Sequence, residues 1–255
     1  MGIAQPSPTA ADIQGLFDRI APVYDSLNER LSFGLHRVWK RMAVRWCGAA
    51  PGHTALDVCC GSGDLAIMLA RQVGESGTVY GVDFSAELLG VAEGRWAKIS
   101  PGGRSPSLSS EASRQISPTA AIHWVQGDAL ALPMGDNSID AATMGYGLRN
   151  LTNIPQGLAE LRRVLKPGAS AAILDFHRPQ GALAEQFQRW YLDALVVPTA
   201  QGMGLTDEYA YIGPSVDRFP TGPEQVALAH QVGFERAVHY PIAAGLMGVL
   251  VVSRQ

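Results

Sequence analysis

The chain has few cysteines, no basic excess and no long apolar run, and each absence argues against a class of protein. Its 255 residues include three cysteines, two of them adjacent (Cys59 and Cys60), which gives neither a disulfide framework nor a metal-ligand spacing. Lysine and arginine number 20 against 23 acidic residues, which argues against general nucleic-acid binding. No apolar run reaches the roughly 18 residues that span a membrane. The first eleven residues lack signal-peptide composition, so we expect a reducing, cytoplasmic location.

What the chain does have is an alternation of short apolar segments and amphipathic helices. With 47% apolar residues it has enough material for a substantial core. The pattern predicts strands at Thr54–Cys59, Thr78–Asp83, Ile122–Val125, Ile139–Met144, Ala171–Asp175, Glu235–Tyr240 and Met247–Ser253. It predicts helices at His36–Trp46, Leu65–Val73, Ala86–Ala97 and Ile154–Leu165. The chain is therefore expected to fold as an α/β protein whose seven-stranded, mostly parallel sheet carries helices on both faces.

The domain organisation follows from composition. Residues 1–10 are rich in proline, serine and threonine and are predicted to be a flexible N-terminus. Residues 11–255 are predicted to form a single domain, with residues 11–47 as a helical lid. Residues 100–119 contain seven serines, three prolines and two glycines, so they are predicted to be a disordered insertion.

A glycine loop, Asp57-Val-Cys-Cys-Gly-Ser-Gly-Asp64, lies between the first predicted strand and its helix. Glycines let a ligand approach the backbone, and the helix start presents free N–H groups. Asp83 ends the second strand, where a carboxylate can accept both hydroxyls of a ribose. Because Gly61, Gly63 and Ala66 also satisfy the dinucleotide fingerprint, an NAD(P)-dependent oxidoreductase remains an alternative.

Three features favour S-adenosylmethionine over a dinucleotide. Asp57 would repel a pyrophosphate but attract the ammonium group of methionine. The third strand ends in Gly127-Asp128-Ala129-Leu130, where a carboxylate and a backbone amide can read an adenine edge. The Tyr-x-x-x-Lys pair of short-chain dehydrogenases is missing. For Asp128 alone, a turn or helix cap is an equally good interpretation.

Longer motifs carry a more specific signal. They are Phe17-Asp-Arg-Ile-Ala-Pro-Val-Tyr-Asp25, Ser32-Phe-Gly-Leu-His-Arg-Val-Trp-Lys40, Gly145-Tyr-Gly-Leu-Arg-Asn150 and Arg162-Arg-Val-Leu-Lys-Pro-Gly168. With these motifs the chain resembles the ubiquinone/menaquinone biosynthesis C-methyltransferase family. Cys59–Asp64, Asp175-Phe-His-Arg-Pro179, Trp190-Tyr-Leu-Asp193 and Arg218-Phe-Pro-Thr-Gly222 resemble the branch found in oxygenic phototrophs.

The resemblance implies a class I methyltransferase Rossmann-like fold and S-adenosyl-L-methionine as cofactor. It implies C-methylation of a reduced prenylated naphthoquinone, 2-phytyl-1,4-naphthoquinol first and demethylmenaquinone or ubiquinone precursors second. The predicted cofactor-binding residues are Asp57, Gly61, Ser62, Gly63, Asp83, Phe84, Asp128, Ala129 and Gly145. The family often has serine at the position of Gly145, so only a backbone contact is expected there.

Four residues are candidates for the chemistry. Arg149, just after the fourth strand, can stabilise a phenolate or pair with a nearby carboxylate, and both alternatives are open. Asn150 can orient Arg149 or the quinol oxygen. His177 can titrate near neutrality or be a satisfied loop histidine. Tyr24 can close over the substrate as part of the lid or simply pack. No metal site is expected.

The expected substrate has a long isoprenoid tail that is insoluble in water. We expect the N-terminal helices and the apolar segment Trp190–Met203 to form its groove, although such a segment is also typical of a core. Arg37, Arg41 and Arg45 recur at helical spacing and predict either contact with anionic lipid or a solvated basic face. The protein is therefore expected to be cytoplasmic, with possible peripheral contact to a thylakoid or plasma membrane. The remaining alternative is a non-catalytic protein that binds the cofactor as a sensor. The intact Gly-Leu-Arg-Asn segment argues against it, because a site without activity would have no evident need for that segment.

Overall fold

The computed structural model describes residues 34–100, 120–178 and 212–255, together with the single positions 15, 19, 181, 186, 188 and 198. The helices of the continuous ranges are α1 (His36–Trp46), α2 (Asp64–Val73), α3 (Ala86–Ile99), α4 (Ile154–Val164), α5 (Ile212–Arg218) and α6 (Gly222–Gln231). The strands are β1 (Thr54–Val58), β2 (Thr78–Asp83), β3 (Ala121–Gln126), β4 (Ile139–Gly145), β5 (Leu165–Phe176), β6 (Arg236–Ile242) and β7 (Met247–Ser253). Short 3₁₀ turns occupy Leu148–Asn150 and Ala243–Gly245.

The seven strands form one sheet in the order β3-β2-β1-β4-β5-β7-β6. The first five strands pair in parallel, and β7 runs antiparallel to both β5 and β6. The order reverses direction between β1 and β4, and in such sheets the carboxyl ends of the strands beside that point form a ligand crevice. The predicted class of fold, a seven-stranded and mostly parallel sheet, is confirmed.

Each face of the sheet carries its own apolar core. On one face, α1 and α2 pack Ala43, Val44, Leu65 and Leu69 against the strands. On the other face, α4 and α6 cover a cluster that contains the largest buried side chains, including Phe219 and Phe234. Because β1 is covered on both faces, its residues after Thr54 are all buried and apolar apart from Asp57. Asp57 is therefore an ionisable side chain in a strand that is otherwise apolar and buried.

The predicted α1 has the observed bounds, and α2, α3 and α4 differ from the prediction only at their ends. The predicted start of β5 was wrong, because the strand begins at Leu165 and includes the Lys166-Pro-Gly168 segment that was expected to end a helix. The register shifts at this point, Gly168 takes a left-handed φ of +84°, and its N–H donates to the Arg254 carbonyl. Proline and glycine here mark an irregular strand start, which short-range patterns do not separate from a turn.

The sequence analysis did not predict α5 and α6. A local signal exists for α6, since the Glu224 carboxylate accepts hydrogen bonds from the backbone N–H and the hydroxyl of Thr221. The longest described helix has 14 residues, and none of the described helices is long and apolar enough to cross a membrane. The predicted N-terminus, most of the predicted lid and residues 101–119 of the predicted insertion lie outside the described residues.

Candidate active site

A cavity opens at the carboxyl ends of β1, β2, β3 and β4. It measures about 850 Å³ when the solvent at its mouth is included. Residues from the glycine loop, the ends of these strands and the turn after β4 form its lining. They are Cys59, Gly61, Val82, Asp83, Phe84, Leu88, Gly127, Asp128, Ala129, Leu130, Gly145, Tyr146, Gly147, Asn150, Leu151 and Thr152.

The glycine loop turns sharply between β1 and α2. Gly61 has a φ of +53°, which glycine adopts without strain, and its N–H donates to Asp83 Oδ2 at 2.8 Å. A methyl group added at Gly61 would meet no atom within 4 Å, so the backbone at this position is open to the cavity. Gly61 therefore fits the predicted close approach of a ligand.

Gly63 serves a different purpose from the one predicted. Its φ is +86°, and an added Cβ would lie 2.7 Å from the ring of Trp124 and 3.0 Å from Ala92. Gly81 on β2 faces the same indole ring, also at 2.7 Å from an added Cβ. Gly63 is absent from the cavity lining, so its missing side chain makes room for Trp124 and not for a ligand.

Asp57 lies beneath the loop, not on the cavity surface. Its side chain is fully buried, and its two carboxylate oxygens accept hydrogen bonds from the Ala66 N–H at 2.9 Å and the Thr143 hydroxyl at 2.8 Å. Burial raises the pKa of Asp57 to about 7, although both hydrogen bonds and the charge of Lys40 act to lower it. The predicted direct contact with a ligand ammonium group is thus not available in this arrangement. Asp57 instead ties the start of α2 to β1 and β4.

Asp83 is on the cavity wall, where the sequence predicts it. Its Oδ2 holds the Gly61 N–H and its Oδ1 accepts the Ser85 N–H at 3.0 Å. These two bonds orient the Asp83 carboxylate at the cavity wall. Phe84, beside it, also lines the cavity.

Asp128 and Ala129 lie on the wall formed by the end of β3. Asp128 Oδ1 accepts the Leu130 N–H at 2.9 Å, which is the local turn that the alternative interpretation expected. Asp128 also lines the cavity. The same residue therefore stabilises a local turn and faces the space where a ligand would bind.

Ser62 is buried at 3% exposure and is not part of the lining. Arg95 of α3 donates to both its carbonyl, at 2.8 Å, and its hydroxyl, at 2.9 Å. Arg95 also pairs with Asp64, which pairs in turn with Lys40 of α1 at 2.6 Å. Although burial acts to raise it, the pKa of Asp64 is lowered to about 2 by Lys40 and then by Arg95. The loop is therefore fixed from outside by helices on both sides, a network that the sequence analysis missed.

The end of β4 makes a strained turn at the cavity. Tyr146 lines the cavity with a φ of +60°, a left-handed conformation that is costly for a residue with a side chain. Its carbonyl accepts hydrogen bonds from Arg149 Nη1 and from Asn150 Nδ2, both at 2.9 Å. A Cβ added at Gly145 would lie 2.7 Å from Leu65 Cδ1, so a side chain here would require the end of the Leu65 side chain to shift.

Arg149 takes the ion-pair alternative that the sequence left open. Its Nη1 lies 2.6 Å from Asp175 Oδ1, its backbone N–H donates to Asp175 Oδ2, and its guanidinium stacks on Phe176. The side chain is 8% exposed and is not part of the cavity lining. Arg149 is therefore a positioning residue in this arrangement.

Asn150 faces the cavity. Its Nδ2 is held by the Tyr146 carbonyl, whereas its buried Oδ1 has no hydrogen-bond partner within the described part of the chain. A buried acceptor without a donor costs free energy, so such an atom at a cavity wall indicates a ligand donor. Of the predicted catalytic residues, Asn150 is the one that the described structure places at the cavity.

His177 is not among the residues that line the cavity. Burial lowers its pKa, and its ring lies 5.0 Å from that of His239, a residue of β6. Its backbone carbonyl accepts a hydrogen bond from Gln188 Nε2 at 2.7 Å. Tyr24 lies outside the described residues, as does nearly all of the predicted tail-binding segment Trp190–Met203.

Cys59 and Tyr146 are among the lining residues that the sequence analysis did not predict as cofactor-binding or catalytic. Cys59 has a φ of +54°, and its Cβ and Sγ would lie 2.7 and 2.8 Å from a Cβ added at Gly147. A signal existed for both, since each stands directly after a strand and within two residues of a glycine, where the chain must turn. Burial raises the pKa of the Cys59 thiol well above its ordinary value, so the thiol is neutral.

The residues present fit the cofactor that the sequence predicts. Gly61 leaves open backbone, and Asp83, Asp128 and Ala129 converge on the same cavity from two neighbouring strands. Asn150, with its unsatisfied oxygen, lies across the cavity at the end of β4. A methyl transfer requires the donor and the acceptor molecule to be held next to each other. One group of residues in this cavity suits a nucleoside, and the Asn150 oxygen is a separate hydrogen-bond acceptor for a second molecule.

Comparisons with known proteins agree with this geometry. The chain is 58% identical over 243 residues to a Trichormus variabilis protein named 2-phytyl-1,4-naphtoquinone methyltransferase, covering 95% of this chain and 99% of that one. It is 45% identical over 239 residues to the chloroplastic 2-phytyl-1,4-beta-naphthoquinone methyltransferase of Arabidopsis thaliana, covering 94% and 86%.

Solved structures support the same fold. The crystal structure of a SAM dependent methyltransferase from Aquifex aeolicus matches with a TM-score of 0.61, at 19% identity, covering 92% of this chain and 97% of that one. The class I methyltransferase fold is thus confirmed. Residues 7–252 match a single family, which leaves no basis for the oxidoreductase alternative. The chain belongs to the ubiE/COQ5 methyltransferase family.

Proposed function

We propose that this methyltransferase adds a methyl group to the ring of reduced 2-phytyl-1,4-naphthoquinone, giving phylloquinol. The observation that carries the proposal is the 58% identity, over nearly the whole of both chains, to a relative named for that acceptor. The plant relative, named for the same acceptor, supports it from a more distant lineage. Demethylmenaquinol is the second candidate acceptor, because it has the same ring with a different tail.

The methyl donor is S-adenosylmethionine, in keeping with the family and the fold. When bound, it supplies an electrophilic methyl group on a positively charged sulfur. Asp83 is oriented by two backbone N–H groups to accept the ribose hydroxyls. Asp128 and the Ala129 amide, which line the cavity, would read the adenine, and the open backbone at Gly61 would let the methionine part lie against the loop.

The acceptor must be the quinol, because a quinone ring is too electron-poor to attack a methyl group. Loss of a phenolic proton moves charge onto the neighbouring ring carbon. Asn150 Oδ1 can accept a hydrogen bond from a quinol hydroxyl and so orient the ring toward the donor. Leu88, Leu151 and Val82 give the cavity an apolar lining, which helps to exclude water.

Arg149 acts on this step through the turn that carries Asn150. It fixes the Tyr146 carbonyl and Asp175, and the same carbonyl holds the Asn150 amide. The ion pair therefore pre-organises the side chain that meets the substrate. Because arginine stays protonated, it does not take the phenolic proton itself.

A methyl-transfer assay tests the proposal. The purified chain is given labelled S-adenosylmethionine and either chemically reduced 2-phytyl-1,4-naphthoquinone or demethylmenaquinol, both in the same detergent. We expect kcat/KM for the phytyl acceptor to exceed that for the menaquinol, and no product from either oxidised quinone. Higher turnover of demethylmenaquinol would transfer the assignment to that acceptor, and no turnover of either would refute the function.

A further inference from the structure

The outer surface of α1 carries exposed apolar side chains. Among the described residues, Leu35 is 51% exposed, Val38 is 45% exposed and Tyr240 is 41% exposed. Leu35 and Val38 lie one helical turn apart at the start of α1, and the Tyr240 ring lies 5.0 Å from that of Trp46 at its end. Exposed apolar residues that gather on one surface indicate a binding partner more strongly than scattered ones do.

Basic side chains run alongside this apolar surface. Arg37, Arg41 and Arg45 are all exposed, and the helix and its flanking residues contain no acidic residue. At 100° per residue, these arginines and the two exposed apolar residues of α1 fall within about 160° of the helix circumference. We call this surface, formed by Leu35, Arg37, Val38, Arg41, Arg45 and Tyr240, the α1 outer face.

The opposite side of α1 belongs to the active site. Lys40 is buried, pairs with Asp64 at the start of α2 and lies 5.9 Å from the centre of the Tyr146 ring. Tyr146 lines the cavity. One helix therefore connects an outward apolar and basic face with the wall of the cavity that takes the acceptor.

We propose that the α1 outer face docks on an anionic lipid bilayer. Apolar side chains beside a row of arginines, with no acidic residue among them, match the boundary between acyl chains and negatively charged headgroups. The inference rests on the proposed function in one respect, since a prenylated acceptor is found in the membrane.

Vesicle co-sedimentation of the full chain tests this inference. The vesicles are phosphatidylcholine alone, or equal parts of phosphatidylcholine and phosphatidylglycerol. We expect binding to the anionic vesicles that falls as salt is raised, and at least about fivefold weaker binding to the neutral ones. The variants Leu35→Ser/Val38→Ser and Arg41→Glu/Arg45→Glu should each reduce the bound fraction by about fivefold or more.

Matched variants on other surfaces provide the controls. Ile99→Ser removes an apolar side chain of 36% exposure from α3, and Arg71→Glu reverses a charge on the exposed side of α2. Both should bind vesicles as the unmodified chain does. Calorimetric titration with S-adenosylhomocysteine and thermal unfolding check that every variant is folded.

Three results would overturn the inference: no binding of the unmodified chain to anionic vesicles, equal binding by the face variants and the controls, or a dimer in light scattering that the face variants dissociate. The last result would assign the face to a second copy of the chain. Methyl transfer in detergent is measured in parallel. If it persists while vesicle binding fails, the docking surface is wrong and the proposed function stands.

Discussion

Asn150 presents a buried oxygen to the cavity, and its removal should affect chemistry more than cofactor binding. For Asn150→Ala we expect kcat to fall about 10- to 100-fold, because the acceptor loses an orienting hydrogen bond in the transition state. The dissociation constant of S-adenosylhomocysteine, measured by calorimetry, should change less than about twofold. Asn137→Gly, on an exposed turn where the asparagine already has a φ of +52°, is the control. Unchanged kcat would exclude Asn150 from the mechanism.

Gly61 and Gly63 stand two residues apart in the same loop, and the same substitution should destabilise the protein to different extents. Gly61→Ala should fold with a loss of about 1–2 kcal/mol for the left-handed φ, and should bind S-adenosylhomocysteine about tenfold more weakly. Gly63→Ala should lose at least about 3 kcal/mol, because the methyl also collides with Trp124. Urea unfolding of both variants measures this difference. Equal stability of the two would contradict the packing role of Gly63.

The two predicted site residues Asn150 and Asp83 line the cavity, but the sequence did not predict the partners of Arg149 and Asp57. The Arg149 ion pair requires Asp175 at the end of the neighbouring strand, a proximity that the predicted sheet allows. Whether the guanidinium turns to that carboxylate or into the cavity depends on the left-handed turn at Tyr146. A positive φ at a tyrosine is not visible in residue patterns, so both alternatives had to stay open.

At the level of whole elements, α1 and α2 are joined by the buried pair of Lys40 and Asp64. For Lys40→Met we expect the free energy of unfolding to fall by about 1–3 kcal/mol, because Asp64 keeps Arg95 but loses a buried cation. Arg41→Met, the adjacent exposed position on the same helix, should change stability by less than about 0.5 kcal/mol. Urea denaturation without vesicles measures both. An equal effect of the two variants would show that the pair does not join the helices.

Elements with strong periodicity, such as α1 and β2, were predictable to their ends. The start of β5 was not, because Lys166-Pro-Gly168 has turn composition, and its strand conformation comes from pairing with distant parts of the chain. Helix α6 was missed for the opposite reason: it has a local start signal but weak periodicity. Its start signal at Thr221 and Glu224 is local, but the helix presents no strong apolar stripe to detect.

For the molecule as a whole, the half-buried histidines His177 and His239 should make stability depend on pH. Burial, and to a smaller extent His177, lower the pKa of His239 from 6.5 to about 4. The unfolded chain therefore takes up this proton at a higher pH than the folded one, so stability falls as the pH falls from about 6.5 toward 4. His239→Gln should show a smaller decrease in melting temperature over this range. A parallel decrease in variant and parent would assign the acid sensitivity to other groups.

Asp57 and Asp64 also contribute to the pH dependence of stability, in both the variant and its parent. The raised pKa of Asp57 makes stability fall as the pH rises from about 4 to 7, opposite in sign to His239. The lowered pKa of Asp64 takes effect below its ordinary value of 3.8, outside the window of the histidine. Comparison of the variant with its parent cancels both contributions.

The overall architecture was the most predictable level, since alternation of strands and helices constrains the sheet to few arrangements. The strand order then brings together loop ends that are far apart in the chain, which is how Gly61, Asp83, Asp128 and Asn150 reach one cavity. The volume of that cavity and the packing of Trp124 between two glycines depend on side-chain contacts that no segment encodes by itself.

The contact between Cys59 and Gly147 restricts how this site can evolve. Since any side chain at position 147 would overlap the cysteine, a lineage cannot enlarge that position unless position 59 first becomes smaller. A glycine at 59 would release the constraint and the strain of the left-handed turn together. The two positions should therefore covary among relatives, with a larger residue at 147 appearing only where glycine stands at 59.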